Sequence, residues 1–421
     1  MPETLNGTIQ GMVEKVVHGG DGLIRHEGQT IFIPNTAAGD SITYQVTDKK
    51  RGVLRGKLVE VITPAKGRVS PPCPVALDCG GCALQAMHTQ NQADLKTSWV
   101  VDAFQMFITE TTKVIPIQPQ TKKHAGRRRV RWFMDKGKLG FRQRFSHDIV
   151  HTETCIAITQ NLDALRNTLE TMNLPESIQS IQAVELSNGT HIILESEQDV
   201  ATDFTPPVQA KQQWWWRKLN TPSIKALHKP IQSLFDQIQL PSKQNNQKID
   251  IEIGANDFVQ GHAAGNQSLV SQILAWSQSS QRIVDLFSGC GNLSLPLAAT
   301  GKQVVGAELN PASIKAANNN AKRLQVDATY QVQDLFDSFS YEPFIGADTL
   351  ILDPPRKGAK RICQNINKLF PKQIIMVNCD VAAGARDAKA LADAGFKLKA
   401  LRPLDLFPYT GHVEVLSLWQ P

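Results

Sequence analysis

Residues 283–298 read IVDLFSGCGNLSLPLA, and this stretch determines the fold class. An apolar run that leads through a glycine-rich turn into helix-forming residues is typical of a strand, a turn and a helix in an α/β protein. Gly289 and Gly291 allow the backbone to approach a ligand at the start of the helix. The turn lacks the third glycine of the dinucleotide-binding pattern G-x-G-x-x-G, which favours S-adenosylmethionine over NAD as the bound cofactor.

The segments after residue 298 repeat the alternation of strand and helix. The apolar runs KQVVGAEL, ADTLILDPP and KQIIMVNCD predict strands, and the β-like run GHVEVLSLW follows them. Residues 249–421 are therefore predicted to form a Rossmann-like α/β domain with a doubly wound, mostly parallel sheet. Asp285, Glu308 and Asp334 fall at strand ends, where a carboxylate can accept hydrogen bonds from a nucleoside.

Two smaller units are predicted before this domain. Residues 1–64 contain short apolar runs separated by glycine-containing turns, which predicts five strands in a small OB-like barrel. Residues 65–248 are predicted to form a central α+β domain, with helices within 91–108 and 160–172. A chain of 421 residues has room for this division, at about 100–200 residues per domain.

Positive charge is concentrated in one part of the chain. Lys and Arg exceed Asp and Glu by 6 overall, but ten basic residues and one acidic residue fall within 122–144. We call residues 122–144 the basic stripe, and aromatic residues are interleaved with its charges. A polyanion such as nucleic acid is the natural ligand of such a segment. A solvated pair of basic strands would have the same composition, so the charge pattern leaves both interpretations open.

The seven cysteines are partly clustered, and their odd number argues against a disulfide framework. Cys73, Cys79 and Cys82 lie within ten residues, in a loop rich in proline and glycine, and Cys155 is available as a fourth ligand. Zinc sites usually combine two short Cys-x2-Cys pairs, and this loop has one. An iron–sulfur cluster tolerates uneven spacing. Three buried free thiols are the interpretation without a metal.

Cys379 ends the predicted strand IIMVNCD, at the sheet edge where substrates bind in open α/β folds. A thiolate there can add to carbon 6 of a pyrimidine and so activate carbon 5, which is otherwise too weak a nucleophile to accept a methyl group. A base must then remove the proton from carbon 5, and Glu414, 35 residues further on, is the candidate. Asp353, before two prolines, suggests a binding edge for a planar base. A buried structural thiol would fit the position of Cys379 equally well.

Together, the segments CPVALDCGGCALQ, DLFSGCGNLSLPLA, LDPPRKG and FPYTGHVEV resemble the RNA uracil-5-methyltransferase family over nearly the whole chain. The resemblance implies that residues 1–64 are a TRAM domain, an OB-like RNA-binding barrel. It implies methylation of carbon 5 of a uridine in 23S ribosomal RNA, with S-adenosylmethionine and a [4Fe–4S] cluster as cofactors. The implied nucleophile is Cys379 and the implied base is Glu414. The implied cluster ligands are Cys73, Cys79, Cys82 and Cys155. The implied S-adenosylmethionine-binding residues are Gln260, Phe287, Asn292, Glu308, Asp334 and Asp353.

The chain departs from the family pattern in three places. Asn378-Cys379-Asp380 stands where the family reads Ser-Cys-Asn, and a carboxylate facing the thiolate would raise its pKa. The family's F-x-Q-x-N reads Phe258-Val259-Gln260-Gly261-His262, and Asp334 stands where an asparagine is common. These departures bear on the target nucleotide and the rate more than on the class of reaction.

Three other functions fit parts of the sequence. A tRNA uracil-5-methyltransferase would share the chemistry, but the cluster cysteines favour the ribosomal-RNA branch. An RNA-binding assembly factor without turnover would fit the altered nucleophile motif, and cytosine-5 methylation also uses a cysteine. The chain has no run of 18 apolar residues and no basic-then-apolar start, so we expect a cytoplasmic protein without a membrane span. The sequence implies no obligate protein partner.

Overall fold

The computed structural model describes residues 7–50, 52–119, 125–199, 204–207, 209–241, 247–337 and 339–421. Within these ranges the strands form four sheets, of six, seven, two and eight strands.

The N-terminal sheet has the strand order β1-β5-β6-β4-β3-β2. Its strands are β1 Thr8–Met12, β2 Lys15–Val16, β3 Gly22–His26, β4 Gln29–Ile33, β5 Ser41–Lys50 and β6 Val53–Thr63. β1 and β3 contact each other although they stand four places apart in the order, so the sheet curls around one apolar core. The predicted β domain is confirmed, with six described strands instead of five. The first predicted strand is divided into β1 and β2. β1 pairs with β5 and β2 pairs with β3, and the change of partner occurs at Val13, whose N–H donates to the Asp40 carbonyl at 2.9 Å.

The second sheet has the order β10-β9-β8-β11-β12-β13-β14 and packs against helix α2, Gln160–Thr171. Its strands are β8 Arg129–Asp135, β9 Lys138–Arg142, β10 Ile149–His151, β11 Ile178–Leu186, β12 Gly189–Ser196, β13 Gln212–Lys218 and β14 Ile224–Ala226. Trp132 and Trp214 fill the core beneath it. The next residue, Trp215, faces away and donates its indole N–H to Nδ1 of His191 at 3.1 Å, as alternation along a strand requires.

The eight-stranded sheet has the order β19-β18-β17-β20-β21-β23-β22-β7, and β17 to β21 are parallel. The strands are β7 Lys113–Val114, β17 Arg282–Leu286, β18 Gln303–Glu308, β19 Ala328–Val332, β20 Thr349–Leu352, β21 Gln373–Asn378, β22 Lys397–Leu404 and β23 Glu414–Gln420. The helices of this region are α3 Ala263–Trp276, α4 Leu295–Ala298, α5 Pro311–Leu324, α6 Lys360–Gln364 and α7 Val381–Asp393. Neighbouring residues such as Ile283 and Val284 enter different apolar cores, one on each face. The predicted doubly wound sheet is thereby confirmed.

Two elements reach this sheet from earlier in the chain. Helix α1, Thr89–Phe104, packs against α7, and β7 extends the edge of the sheet beside β22. The hairpin of β15 Phe235–Gln239 and β16 Lys248–Glu252 contributes Ile238 and Ile251 to the core on the other face. These elements lie before or across residue 249 in the chain but pack on the large sheet. The limits 1–64, 65–248 and 249–421 remain our proposal for the domains. No helix in the described ranges is both long enough and apolar enough to cross a membrane.

Candidate active site

The ends of the strands place the predicted catalytic residues at one edge of the large sheet. Asp353 directly follows β20, and Cys379 directly follows β21. β23 runs antiparallel to β21 and begins at Glu414, and the pairing of Asn378 with Val415 sets the two strand ends side by side. The sheet therefore brings the thiol and two carboxyl groups from distant segments into one group.

Burial and mutual repulsion control the ionisation of this group. Burial, followed by the charges of Glu414 and Asp353, raises the pKa of the Cys379 thiol to about 11, and Arg356 opposes that shift. Burial and a smaller contribution from Asp285 raise the pKa of Asp353 to about 8. Burial and Asp353 raise the pKa of Glu414 well above its ordinary value. Acidic groups packed in this way favour a bound cation, which would offset their repulsion.

The carboxylate that follows Cys379 in the sequence caps a helix. Asp380 precedes α7, and its Oδ1 accepts the N–H of Ala383 at 2.8 Å as the N-cap of that helix. The largest charges that shift the pKa of Cys379 are those of Glu414, Asp353 and Arg356. The unusual Asn-Cys-Asp sequence therefore supplies a helix cap.

The glycine-rich turn after β17 leaves space beside an unusual backbone. Phe287, Gly289 and Gly291 have φ of 69°, 54° and 89°. This left-handed conformation is easy for glycine but rare for an aromatic residue. A Cβ on Gly289 would meet no described atom within 4 Å, and the Phe287 ring lies 5.3 Å from that of Phe336. A strained aromatic beside an open turn is typical of a ligand site.

Side-chain amides connect this turn to the strand ends. Nε2 of Gln260 donates to Oδ2 of Asp353 at 3.5 Å. The amides of Asn292 and Asn266 exchange two hydrogen bonds of 2.8 and 2.9 Å, which orients Asn292 from the start of α3.

Two carboxylates at the next strand ends are held by backbone N–H groups. Oε1 of Glu308, the last residue of β18, accepts the N–H of Asn310 at 3.0 Å. Oδ1 of Asp334, just beyond β19, accepts the N–H of Phe336 at 2.9 Å. The structure thus places all six predicted cofactor residues along the carboxyl edge of the sheet or in contact with it.

Asp285 is the least satisfied carboxyl group at this edge. It is 1% exposed, and neither of its oxygens has a hydrogen-bond partner within the described residues. Burial raises its pKa to about 7, the nearby Ser294 hydroxyl opposes that shift, and the charge of Glu308 adds a smaller increase. A buried acceptor without a donor at the switch between β17 and β20 is suited to a ligand that brings positive charge or N–H groups.

The four clustered cysteines line one small cavity, together with Gln85 and Phe141. Burial, and then the neighbouring thiols, raise the pKa of Cys82 to about 12, and burial raises that of Cys155 to about 11. Within the described ranges, no three His, Cys, Asp or Glu side chains are arranged to hold a single metal ion. Four thiols that line one cavity could together serve as the ligands of an iron–sulfur cluster.

The cysteine cavity adjoins the segment that leads to Glu414. Tyr409 packs against Cys73 and Cys82, and its carbonyl accepts the N–H of Leu84 at 2.8 Å. Tyr409 has a φ of 66°, so the chain turns sharply where it touches the cysteine loop. The cysteine loop is therefore in direct contact with the segment that precedes Glu414.

Comparison with known proteins agrees with this arrangement. The family model for tRNA (uracil-5-)-methyltransferase matches residues 226–420. The 23S rRNA (uracil(1939)-C(5))-methyltransferase RlmD of Pectobacterium atrosepticum is 32% identical, over 95% of this chain and 91% of the relative. This chain belongs to the RNA uracil-5-methyltransferase family. RlmD of Shewanella sp. MR-7 is 30% identical, over 97% of this chain and 94% of that protein.

A solved member with another substrate shares the fold. The tRNA (uracil-54, C5)-methyltransferase of Pyrococcus abyssi, solved with S-adenosyl-L-homocysteine, superposes with a TM-score of 0.73. The match covers 98% of this chain and 100% of that one at 22% identity, so it concerns the fold alone.

In this uracil-5-methyltransferase the structure adds charged residues that the sequence did not single out. Burial, followed by Arg356 and Arg127, lowers the pKa of His412 to about 4, with smaller contributions from Lys96 and His18. These groups come from five separate segments, so spacing could not reveal the cluster. Arg356 and His412 do lie inside quoted motifs, next to Asp353 and Glu414. Their proximity in the sequence to these two predicted site residues was the signal that could have identified Arg356 and His412.

The structure divides the basic stripe into buried and exposed parts. Arg128 is buried and forms a bidentate ion pair with Asp236, at 2.6 and 2.9 Å. Arg131, Lys138 and Arg142 are exposed. Lys122 and Lys123 lie outside the described residues. Only part of the predicted charge is therefore shown to be available to a polyanion.

Proposed function

We propose that this enzyme methylates carbon 5 of a uridine in 23S ribosomal RNA, with S-adenosylmethionine as the methyl donor. The observation that carries the proposal is the pairing of β21 with β23, which sets Cys379 beside Glu414. The cofactor supplies the methyl group from a positively charged sulfonium. Asp285 and Asp353 at the cofactor edge have pKa values raised to about 7 and about 8 in the free protein, and a positive charge bound beside them would favour their ionised form.

In this proposal Cys379 is the nucleophile. Its thiolate adds to carbon 6 of the uracil, and the resulting enolate makes carbon 5 able to take the methyl group. In the free enzyme the Cys379 thiol is mostly protonated, because its pKa is raised to about 11. A cation bound near Asp353 and Glu414 would lower that pKa by offsetting their charges.

Glu414 is proposed as the base that completes the reaction. After methyl transfer, carbon 5 carries both a proton and the new methyl group. The Glu414 carboxylate removes that proton, and the electron pair restores the double bond as the Cys379–carbon 6 bond breaks. Burial beside Asp353 raises the pKa of Glu414 well above its ordinary value, so Glu414 must first ionise, which a bound positive charge favours, before it can accept the proton from carbon 5.

Ribosomal RNA is preferred to tRNA because of relatives that match along the full chain. The RlmD proteins reach 32% identity over 95% of this chain. The barrel does not separate the two substrates, because the Pyrococcus abyssi tRNA enzyme matches 98% of this chain in fold. Mass spectrometry of ribosomal RNA and tRNA from a deletion strain tests the choice. Loss of 5-methyluridine from tRNA alone would refute the ribosomal assignment.

The two catalytic assignments predict different failures. Cys379→Ala should abolish methylation, since no adduct forms at carbon 6. Glu414→Gln should allow attack and methyl transfer but stall proton removal, leaving the protein joined to methylated RNA. The adduct would appear as a slow band on a denaturing gel, dependent on S-adenosylmethionine and sensitive to ribonuclease. A fully active Cys379→Ala enzyme, or a Glu414→Gln enzyme with normal turnover and no adduct, would refute the mechanism.

We further propose that Cys73, Cys79, Cys82 and Cys155 hold a [4Fe–4S] cluster. The support is the shared cavity and the packing of raised-pKa thiols, which positive iron would stabilise as thiolates. Its role is structural, because the methylation site has its own nucleophile and base. Protein purified without oxygen should be brown and carry about four irons per chain. Stoichiometric zinc without iron would contradict this proposal.

A further inference from the structure

An exposed aromatic residue lies at the junction of the barrel and the basic stripe. Phe145 is in the turn between β9 and β10, is 68% exposed, and has a φ of 60°. A left-handed backbone is unfavourable for a bulky aromatic residue, and an exposed ring gains little from burial. Neither local propensity nor burial in an apolar core explains why phenylalanine occupies this position.

Two arginines from different segments flank the ring. The guanidinium of Arg55, in β6 of the barrel, lies 3.7 Å from the ring centroid, and that of Arg144 lies 5.1 Å away. Arg144 is held by Asp21 of the barrel, at 2.6 Å. Among the described residues no carboxylate lies within ion-pair distance of Arg55, so its charge is not neutralised locally. The site combines a largely exposed aromatic ring with positive charge.

The backbone of the turn that carries Phe145 is hydrogen-bonded to the cysteine loop. The N–H of Gly80 donates to the carbonyl of Arg142 at 3.0 Å, and Cys79 forms a β-bridge with Gln143. A Cβ on Gly80 would stand 3.0 Å from that carbonyl and 3.1 Å from the backbone of Arg144, so any side chain there would crowd the turn. The cysteine loop therefore holds the turn that carries Phe145 in place.

The same combination recurs on the adjoining sheet. The ring of Phe133, in β8, has Arg142 at 4.3 Å and Arg131 at 5.3 Å from its centroid. Arginine and aromatic side chains thus alternate from the barrel onto the exposed side of the hairpin. Alternating stacking surfaces and cations are what proteins use to hold single-stranded nucleic acid.

We propose that Phe145, Arg55 and Arg144 form a stacking site for one unpaired base of the RNA substrate. The base lies against the exposed ring of Phe145, and the guanidinium of Arg55 contacts a neighbouring phosphate, while the ion pair with Asp21 holds Arg144 beside the ring. The site is separate from the Cys379 pocket and would select RNA with an unpaired nucleotide at a set distance from the target uridine. This inference rests on the proposed RNA substrate.

Binding of a mixed-sequence single-stranded RNA by the full-length holoenzyme tests the site. Phe145→Ala should raise the Kd about five- to a hundredfold, the usual range for loss of one stacked base, and Phe145→Tyr should restore it. Phe370→Ala is the matched control. Phe370 is 71% exposed with a φ of 48°, and no described cation lies over its ring. Its Kd should equal that of the wild type.

Abasic substitution along the same RNA identifies the stacked nucleotide. One abasic position should weaken binding by the wild type but not by Phe145→Ala, because the variant has already lost that contact. Unchanged Kd in Phe145→Ala, or equal losses in both proteins at every abasic position, would overturn the site. Should Phe145→Ala melt at a lower temperature, Arg55→Gln with the ring intact gives the deciding Kd, and wild-type affinity would then overturn it. Methylation of a 23S rRNA transcript by the wild type is assayed separately. Failure to methylate that transcript would contradict the proposed function, whereas the Kd values would still test the stacking site.

Discussion

At the scale of one residue, the buried carboxyl group of Asp285 lowers the stability of the folded protein when it is ionised. Its folded-state pKa of about 7 lies above the ordinary 3.8, so folding favours the protonated form. Between about pH 4 and 7 the unfolded chain releases this proton and the folded chain retains it, so the free energy of unfolding falls as pH rises. Above pH 7 the loss is complete, at most about 4 kcal/mol for three pKa units.

Replacement by a neutral amide removes this pH dependence. Asp285→Asn should raise the melting temperature relative to the wild type at pH 8.5 and change it much less at pH 5, while S-adenosylmethionine binding weakens. Thermal unfolding at both pH values measures the difference. Asp337→Asn is the control, because the Asp337 side chain is 92% exposed. A gain of equal size at both pH values would show that ionisation of Asp285 is not the cause.

The thiol pKa of Cys379 gives a second test at the residue scale. Removal of the Glu414 charge should lower that pKa below about 11, since Glu414 is the largest charge that raises it. The rate of Cys379 alkylation by iodoacetamide, followed by peptide mass spectrometry against pH, should therefore rise at lower pH in Glu414→Gln. Asp380→Asn keeps the helix cap and should leave the profile unchanged. A shift as large in Asp380→Asn would mean that the neighbouring carboxylate faces the sulfur.

At the scale of elements, strand ends were predictable from the sequence and packing partners were not. Parallel strands must place their carboxyl ends together, so spacing alone indicated Asp353 and Cys379 at one edge. The charge run could not reveal that Arg128 is buried, because its partner Asp236 lies 108 residues away. The sequence likewise predicted a helix within 91–108 but not that α7 would pack against it.

The exposed strand β9 provides the test of RNA binding at this scale. Lys138→Gln with Arg142→Gln should weaken RNA binding and reduce the slope of log Kd against log salt by about 1.4 to 1.8, because each lost phosphate contact removes about 0.7 to 0.9 from the slope. Lys372→Gln with Lys397→Gln is the matched control. Both control lysines are exposed and adjoin the amino end of β21 and the start of β22, at the sheet edge opposite Cys379. Equal slopes in the two double variants would show that β9 is only a solvated surface.

For the whole molecule, the cysteine cavity is where three parts of the chain meet. The cysteine loop contacts the β9–β10 turn through Gly80 and the catalytic segment through Tyr409. Gly411, three residues before Glu414, lies directly against the backbone of Gly19 in the barrel. No sequence pattern could predict this convergence, because each contact joins segments tens to hundreds of residues apart. The segment 405–413 therefore depends on both the barrel and the cysteine loop for its position.

This dependence predicts the effect of losing the proposed cluster. Iron removal, or Cys82→Ser, should speed hydrogen exchange in 73–86 and also in 405–413, while β17 and β18 keep their protection because their contacts are internal to the large sheet. Methylation should fall because Glu414 follows the loosened segment. Cys363→Ser is the matched control, since Cys363 is fully buried but packs in the core between α6 and α7, away from the cavity. Faster exchange in 73–86 with 405–413 unchanged would show that the cysteine loop folds without supporting the catalytic segment.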